Sequence, residues 1–295
     1  MLKRARALVR TIRPRQWVKN VFVGAPLVFS RELANPPSVT RAVLAMIAFC
    51  ALSGAVYAFN DVHDVAADRL HPTKRLRPIA AGELSERGAL VWSALLAVGA
   101  LAGSLALAWQ LAVFAAAYLV QNLAYSLGLK KVAFLDVALI ATGFLLRVLA
   151  GAAAINVPAS RWLLLCTALL ALFLGLGKRG HELAWATRNE RATTTRAALA
   201  GYRIEVVRVA MIGLAIVTCA AFIAYTLWPH TVEFFGTDHL VLVSPFVVLG
   251  VIRFLMLSLW STADESPTEA MLGDRWFLAI LASATLTTLY VIYAR

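Results

Sequence analysis

Nine long apolar stretches dominate this sequence, and they constrain its fold more than any other feature. The chain is 61% hydrophobic and only 15% charged, with a mean hydropathy of +0.75. Soluble domains are about half apolar and about a quarter charged, so this composition is expected in a lipid bilayer. The stretches cover residues 17–33, 41–61, 88–107, 109–127, 133–155, 161–178, 207–228, 240–260 and 275–294.

These stretches predict an all-α integral membrane protein with nine transmembrane helices in one bundle. Most approach the roughly 20 residues needed to cross about 30 Å of hydrocarbon. Helices satisfy their backbone hydrogen bonds within lipid, whereas open strands do not. The first stretch is the weakest, because it is short and contains Pro26. We expect residues 1–295 to form a single domain, with longer charged loops near 62–87 and 179–206.

Basic residues between the stretches predict the orientation. They concentrate in alternate loops and at the N-terminus, whereas the opposite side holds only Arg31, Arg41, Arg161 and Arg295. The positive-inside rule therefore places the N-terminus in the cytoplasm, and we expect a multi-pass protein of the cytoplasmic (inner) membrane. The net charge of +12 is then explained by topology and membrane lipid, and no nucleic-acid partner is expected.

An aspartate-rich segment from Asn60 to Asp68 follows the second apolar stretch. If the helix continues, Asn60, Asp64 and Asp68 share one face, and Asp61 lies close to it. Stacked carboxylates repel one another, so a cation is expected, and Mg²⁺ takes one or two carboxylates together with phosphate oxygens. The alternative is an ordinary solvated helix end.

A basic loop follows this segment directly. Pro72 and Pro78 prevent a continuous helix, and Lys74, Arg75 and Arg77 lie between them. Carboxylates for a metal beside cations for phosphate oxygens are the combination that a metal–diphosphate substrate requires. The alternative is that these cations serve topology alone.

Polar residues at other helix ends and within apolar stretches extend the candidate site. Asp136 and Arg147 are three helical turns apart, so we expect them to face a shared polar site without pairing directly. Glycine-rich phosphate loops are absent from the sequence, so side chains and metal would have to bind any phosphate. The residues predicted to bind substrate are Lys19, Asp61, Lys74, Arg75, Arg77, Tyr125, Lys130, Asp136, Arg147, Lys178 and Arg179.

Together these residues resemble the UbiA superfamily of intramembrane transferases. Its first motif, NDxxDxxxD, is matched in full from Asn60 to Asp68. The resemblance implies nine transmembrane helices, a cytoplasmic active site, and Asn60, Asp64 and Asp68 as catalytic residues that bind Mg²⁺. The family's second acidic motif is reduced here to Asp136, because Ile140 stands where a second acid is expected.

Four sequence runs resemble the phosphoribosyl-transferring subgroup of this superfamily: RPRQWVKN at 13–20, the segment at 60–82, YSLGLKK with the following Asp and Leu-Arg at 125–147, and GKRGHEL at 177–183. This resemblance implies transfer of 5-phosphoribosyl from phosphoribosyl pyrophosphate to a decaprenyl-like polyprenyl phosphate in the synthesis of cell-wall arabinan precursors, with release of pyrophosphate. Alternatives are transfer of an isoprenoid from its diphosphate to an aromatic or lipid acceptor, and ion transport. A homo-oligomer is left open.

Overall fold

The computed structural model shows a chain built from helices and connecting loops, without a strand in the residues that it describes. These are residues 2–188, 199, 201–259 and 267–294. The α-helices are α1 (Leu2–Thr11), α2 (Val21–Phe29), α3 (Pro36–His63), α4 (Val65–Leu70), α5 (Glu86–Leu107), α6 (Trp109–Leu127), α7 (Leu135–Ala154), α8 (Arg161–Arg188), α9 (Ile204–Leu227), α10 (Pro229–Phe235), α11 (Ser244–Leu259), α12 (Pro267–Gly273) and α13 (Arg275–Tyr293). Short 3-10 helices lie at Pro14–Asn20, Lys74–Leu76, Leu129–Lys131 and His239–Val243.

Seven helical segments in the described chain are long and apolar enough to cross a membrane, which confirms a multi-pass helical protein. They are Pro36–His63, Glu86–Leu107, Leu135–Ala154, Arg161–Ala184, Ile204–Leu227, His239–Leu259 and Arg275–Tyr293. The remaining two predicted spans fall outside this set. In α6, polar Gln110, Gln121 and Asn122 lower the hydropathy of an otherwise apolar helix.

The first predicted span is wrong as one continuous helix. Residues Pro14–Asn20 form a 3-10 helix, and the α-helical part is only Val21–Phe29. Arg31 adopts a positive φ of 61°, which is incompatible with a continuing right-handed helix. Helix α8 continues to Arg188, through the first ten residues of the predicted loop at 179–206. Arg191 and Arg196, which belong to that loop, lie outside the described residues.

The chain divides into two compact units. Unit 1 comprises Met1–Lys130 and Gly143–Ala159, and unit 2 comprises Lys131–Thr142 and Ser160–Arg295. Helix α7 therefore contributes its first residues to unit 2 and the rest to unit 1. The expected single domain stays a prediction.

In unit 1, α3 is the central helix, and α2, α5 and α6 pack against it. Buried Val23, Phe49, Leu52 and Leu111 belong to its main apolar core. At Gly151 of α7 the backbone of α2 approaches so closely that a Cβ would lie 1.9 Å from the carbonyl oxygen of Val23. Small residues permit such contacts between membrane helices, so glycine is required here by packing.

In unit 2, α8, α9 and α11 surround a second apolar core, and α13 packs against α11. Phe173, Met211 and Phe254 are almost completely buried in it. Gly177 of α8 lies under the ring of Phe254, since a Cβ at this position would be 2.5 Å from the ring carbon Cε1.

Candidate active site

The aspartate-rich segment in unit 1 is not one continuous helix. Helix α3 ends at His63, and Asp64 has φ −94° and ψ 6°, after which α4 begins at Val65. The backbone N–H of Asp64 still donates to the carbonyl of Asn60 at 2.9 Å. The predicted single stripe of stacked carboxylates is therefore wrong. Asp64 and Asp68 each contact a different cation, Lys130 and Arg77, and these contacts offset the repulsion between like charges.

Asn60 and Asp64 form the first polar group, together with Lys130. The Lys130 ammonium nitrogen lies 2.6 Å and 2.8 Å from the two Asp64 carboxylate oxygens and 3.2 Å from Asn60 Oδ1. The Asn60 amide also donates to Asp64 Oδ2 at 3.0 Å, which fixes the direction of its oxygen. Three oxygen atoms thus converge on one cation.

Asp61 and Asp68 form the second polar group and are both almost completely buried. Arg77 Nη1 joins them, at 2.5 Å from Asp68 Oδ2 and 3.2 Å from Asp61 Oδ1. Arg13 also donates to Asp61 Oδ1. Arg77 was predicted to bind phosphate, and the structure places it across two carboxylates.

Arg13 is a site residue that the sequence analysis missed. It adopts a left-handed conformation, with φ 50° and ψ 68°, immediately before Pro14 opens the 3-10 helix. Its guanidinium lies over the ring of Tyr57, 4.9 Å from the ring centroid, and reaches Asp61. It begins the run RPRQWVKN at 13–20, but the sequence analysis gave it no role, because a basic residue before a proline is equally typical of topology.

The basic loop is anchored on both sides of Arg77. Arg10 of α1 donates to the Glu83 carboxylate at 2.7 Å and to the carbonyl of Leu76 at 2.7 Å. Beyond Arg77, Ile79 and Leu84 are buried in a small apolar cluster. These contacts hold the loop over the end of α3, so that Arg77 reaches back to Asp61 and Asp68.

Several other predicted residues of unit 1 lie at the surface or are half-buried. Arg75 is exposed, whereas Lys19, Lys74 and Tyr125 are half-buried. Beside Lys74, His71 Nδ1 accepts hydrogen bonds from the backbone N–H groups of Thr73 and Lys74. Burial lowers the pKa of His71, and the charge of Lys74 lowers it further. His71 is therefore a neutral part of the loop at pH 7.

Arg147 is buried in the interior of unit 1, and no carboxylate of the described residues lies within ion-pair distance of it. It donates to Asn20 Oδ1 and to Tyr118 OH, each at 2.8 Å, and to Ser53 Oγ at 3.3 Å. Its guanidinium lies 4.6 Å from the centroid of the Tyr118 ring. The arginine thus ties α3, α6 and α7 to the residue that precedes α2.

Asp136 and Arg179 form a buried ion pair in unit 2. Both side chains have no exposed surface, and Arg179 Nε lies 3.0 Å from Asp136 Oδ2. Arg179 also donates to Glu182, and Tyr202 donates to Asp136 Oδ1 at 2.6 Å. Burial raises the pKa of Tyr202, and the hydrogen bond to Asp136 raises it further, so the phenol stays protonated.

The described contacts divide the predicted site residues into four groups: Asn60–Asp64–Lys130, Asp61–Asp68–Arg77, Arg147, and Asp136–Arg179. Asp136 and Arg147 have different contacts in different units, so their predicted common site has no support in the contacts of either residue. Arg179 was predicted to contact phosphate, but it is occupied by two carboxylates. Lys178, its neighbour, is half-buried.

The donor set of Asn60 and Asp64 fits a magnesium ion, whereas the third predicted ligand, Asp68, is paired with Arg77. The described residues contain no group of three or more His, Cys, Asp or Glu side chains able to hold a metal. Asp68 is turned toward Arg77. Mg²⁺ is usually bound through one or two carboxylates plus waters and substrate phosphates, so Asn60 and Asp64 would supply the protein part of such a site.

The chain is similar to known transferases in sequence. The model of the UbiA prenyltransferase family matches residues 21–281. Decaprenyl-phosphate phosphoribosyltransferase of Mycobacterium tuberculosis is 37% identical over 288 residues, 95% of this chain and 92% of that protein. The enzyme of that name from Mycolicibacterium smegmatis is 43% identical over 185 residues, 61% of this chain and 58% of that protein.

A solved structure shows the same fold. It is the UbiA homologue of Archaeoglobus fulgidus bound to DMAPP and Mg²⁺, which matches with a TM-score of 0.73. The match covers 98% of this chain and 99% of that one at 18% sequence identity. At this identity the likeness establishes the architecture of the chain.

Proposed function

The chain belongs to the UbiA prenyltransferase family and is a transferase, and we propose that it transfers 5-phosphoribosyl from phosphoribosyl pyrophosphate to a decaprenyl-like polyprenyl phosphate. The observation that carries the proposal is the 37% identity, over 95% of the chain, with an enzyme named for that acceptor and that transferred group. Pyrophosphate is the second product. The lipid-linked phosphoribose would serve as a precursor of cell-wall arabinan.

Residues at the end of α3 support this chemistry. Asn60 and Asp64 would hold Mg²⁺, and the chemistry that a bound magnesium ion supplies is neutralisation of the pyrophosphate leaving group. Asp68 and Asp61 hold Arg77 and Arg13 in place. The side chains that we propose for the phosphate groups are Lys19, Lys74, Arg75, Arg77 and Lys130.

The reaction needs no general base among these residues. The acceptor phosphate is already anionic near neutral pH, and its oxygen attacks carbon 1 of the ribose as the bond to pyrophosphate breaks. We propose that nearby carboxylates stabilise the positive charge that develops on the ribose. We propose that Tyr125 contacts the ribose, and that Asp136 and Arg179 support the fold, since each already has a buried partner.

We propose that the protein crosses the membrane nine times, with its N-terminus and active site on the cytoplasmic side. The basic residues of the N-terminus and of the loop at 62–87 support this orientation. The water-soluble donor would then enter from the cytoplasm, and the polyprenyl chain would lie in the bilayer.

The test uses purified protein in detergent or liposomes with Mg²⁺, phosphoribosyl pyrophosphate and decaprenyl phosphate. We expect a lipid-linked phosphoribose and stoichiometric pyrophosphate. Asp64→Ala should lower turnover by at least about a hundredfold while the protein still unfolds cooperatively. Lys131→Ala, at an exposed residue next to Lys130, is the control. Unchanged turnover by the Asp64 variant would refute the assignment of this site.

A parallel assay decides between this reaction and transfer of an isoprenoid. Prenyl diphosphate is offered with an aromatic acid or a lipid acceptor, because the family as a whole is named for prenyl transfer. Isoprenoid product without phosphoribosyl product would favour the alternative.

A further inference from the structure

We propose that the Lys130 ammonium acts as a built-in substitute for the metal ion, which keeps Asn60 and Asp64 in ligand geometry and must leave them before the metal binds. The inference rests on the proposed function for the presence of a divalent metal at these two residues. The metal and a pyrophosphate group then bind together, because the released lysine needs a new anion.

The geometry around Lys130 Nζ supports this role. Its three acceptors lie at 2.6, 2.8 and 3.2 Å, and an ammonium group has three protons to donate. Lys130 is only 8% exposed, so this charge is largely removed from water. The hydrogen bond between the Asn60 amide and Asp64 keeps the amide oxygen directed at the cation. The oxygens are thus already arranged around a positive charge.

The charges of the carboxylates and cations in these contacts also support this role. Among the described contacts, Asp64 is matched by Lys130, and the Asp61–Asp68 pair is matched by Arg13 and Arg77. The formal charges of these three carboxylates and three cations balance. A divalent cation that enters it must first break the charge-assisted contacts of Lys130, and the cluster then carries excess positive charge. A pyrophosphate group removes that excess.

Lys130 is placed where it can change partners. It belongs to the 3-10 helix Leu129–Lys131 that follows α6, and a lysine has a flexible four-carbon stem with three rotatable N–H donors. A shift of the ammonium from Asp64 to a phosphate oxygen exchanges one anion for another. Binding of the metal then increases the affinity for pyrophosphate, and binding of pyrophosphate increases the affinity for the metal by the same factor.

The first experiment measures metal binding to donor-free protein, with Mn²⁺ as a paramagnetic substitute for Mg²⁺ followed by electron paramagnetic resonance. Lys130→Gln should bind Mn²⁺ at least about tenfold more tightly than wild type, because no charged hydrogen bonds must be broken. Lys131→Gln removes the same charge from the neighbouring exposed position and should leave the affinity unchanged. Equal affinity in wild type and Lys130→Gln, or equal tightening in both variants, would overturn the proposal.

The second experiment uses the wild-type protein, so it does not depend on how a variant folds. Thermal unfolding is recorded with Mn²⁺ alone, with inorganic pyrophosphate alone and with both. We expect a clear rise in melting temperature only when both are present, because a ligand stabilises the native state according to its affinity. A full rise with Mn²⁺ alone would overturn the proposal. Both readouts involve no turnover, so they are separate from the assay of phosphoribosyl transfer.

Discussion

Replacing Arg77 with glutamine removes a cation that two buried carboxylates share. In the native protein Arg77 Nη1 lies 2.5 Å from Asp68 Oδ2 and 3.2 Å from Asp61 Oδ1. The Asp68 and Asp61 side chains are only 5% and 2% exposed, whereas that of Arg77 is 26% exposed. Arg13 still contacts Asp61 in the variant. Asp68 loses its cation, as far as the described contacts go.

The size of the effect follows from this partial burial. Removal of one partner from a fully buried ion pair costs about 3–5 kcal/mol, whereas an exposed pair contributes at most about 1 kcal/mol. Arg77 is a quarter exposed, so the cost should lie between these two limits. We therefore expect Arg77→Gln to lower the free energy of unfolding by about 2–3 kcal/mol.

Denaturant unfolding in detergent, followed by tryptophan fluorescence, measures this change. Arg75→Gln, in the same loop but exposed, should change the free energy of unfolding by less than about 0.5 kcal/mol. The Asp68→Asn variant and the double variant complete a double-mutant cycle with a coupling of about 1–2 kcal/mol. The reasoning is refuted if Arg77→Gln costs no more than Arg75→Gln, or if the cycle shows no coupling.

Two further predictions concern packing and pH. Gly151→Ala should prevent native packing, because the added Cβ would lie 1.9 Å from the carbonyl oxygen of Val23. In the control Gly103→Ala the added Cβ meets nothing within 4 Å, so this variant should be neutral or more stable by up to about 1 kcal/mol. Equal melting temperatures of the two variants would contradict this prediction. The Arg253 guanidinium lowers the pKa of Asp274, so the stability from this pair is present above the ordinary pKa of 3.8 and is lost as the pH falls below it. Asp274→Asn should therefore reduce the loss of melting temperature between about pH 5 and about pH 3, and an unchanged pH profile would contradict the assignment.

The sequence predicted the class of fold because hydrophobicity is a property of whole segments. Long apolar stretches gave the positions of α5, α7, α9 and α13 to within a few residues. The first stretch failed because composition does not reveal where a backbone turns. Arg31 reverses the sign of φ there, and the apolar letters on either side give no indication of it.

For the candidate site, the sequence identified residue types more reliably than partners. Asn60 and Asp64 were predicted to lie together, and they do. The partner of Asp68 was not predicted, because Arg77 returns to it only through a loop whose path depends on Arg10 and a small apolar cluster. Arg13 was missed for the same reason: its contact with Asp61 spans 48 residues of sequence.

Burial explains the remaining difference between the predicted and the observed environments of the basic residues. A basic residue at a helix end looks the same in a sequence whether it meets solvent, substrate or a carboxylate. Arg179 is completely buried beside Asp136, which only the packing of unit 2 determines. Composition and spacing contain no information about this environment.

The short helix α2 has a consequence for how the protein enters the membrane. Its nine residues span only about 13 Å, less than half of the hydrocarbon thickness, so the first crossing also needs the 3-10 helix Pro14–Asn20. Val23 and Leu27 are buried against neighbouring helices instead of facing lipid. This segment is therefore a poor independent substrate for the insertion machinery. We expect it to partition into the bilayer together with the 28-residue helix α3, so that the second hydrophobic segment, and not the first, commits the chain to its topology.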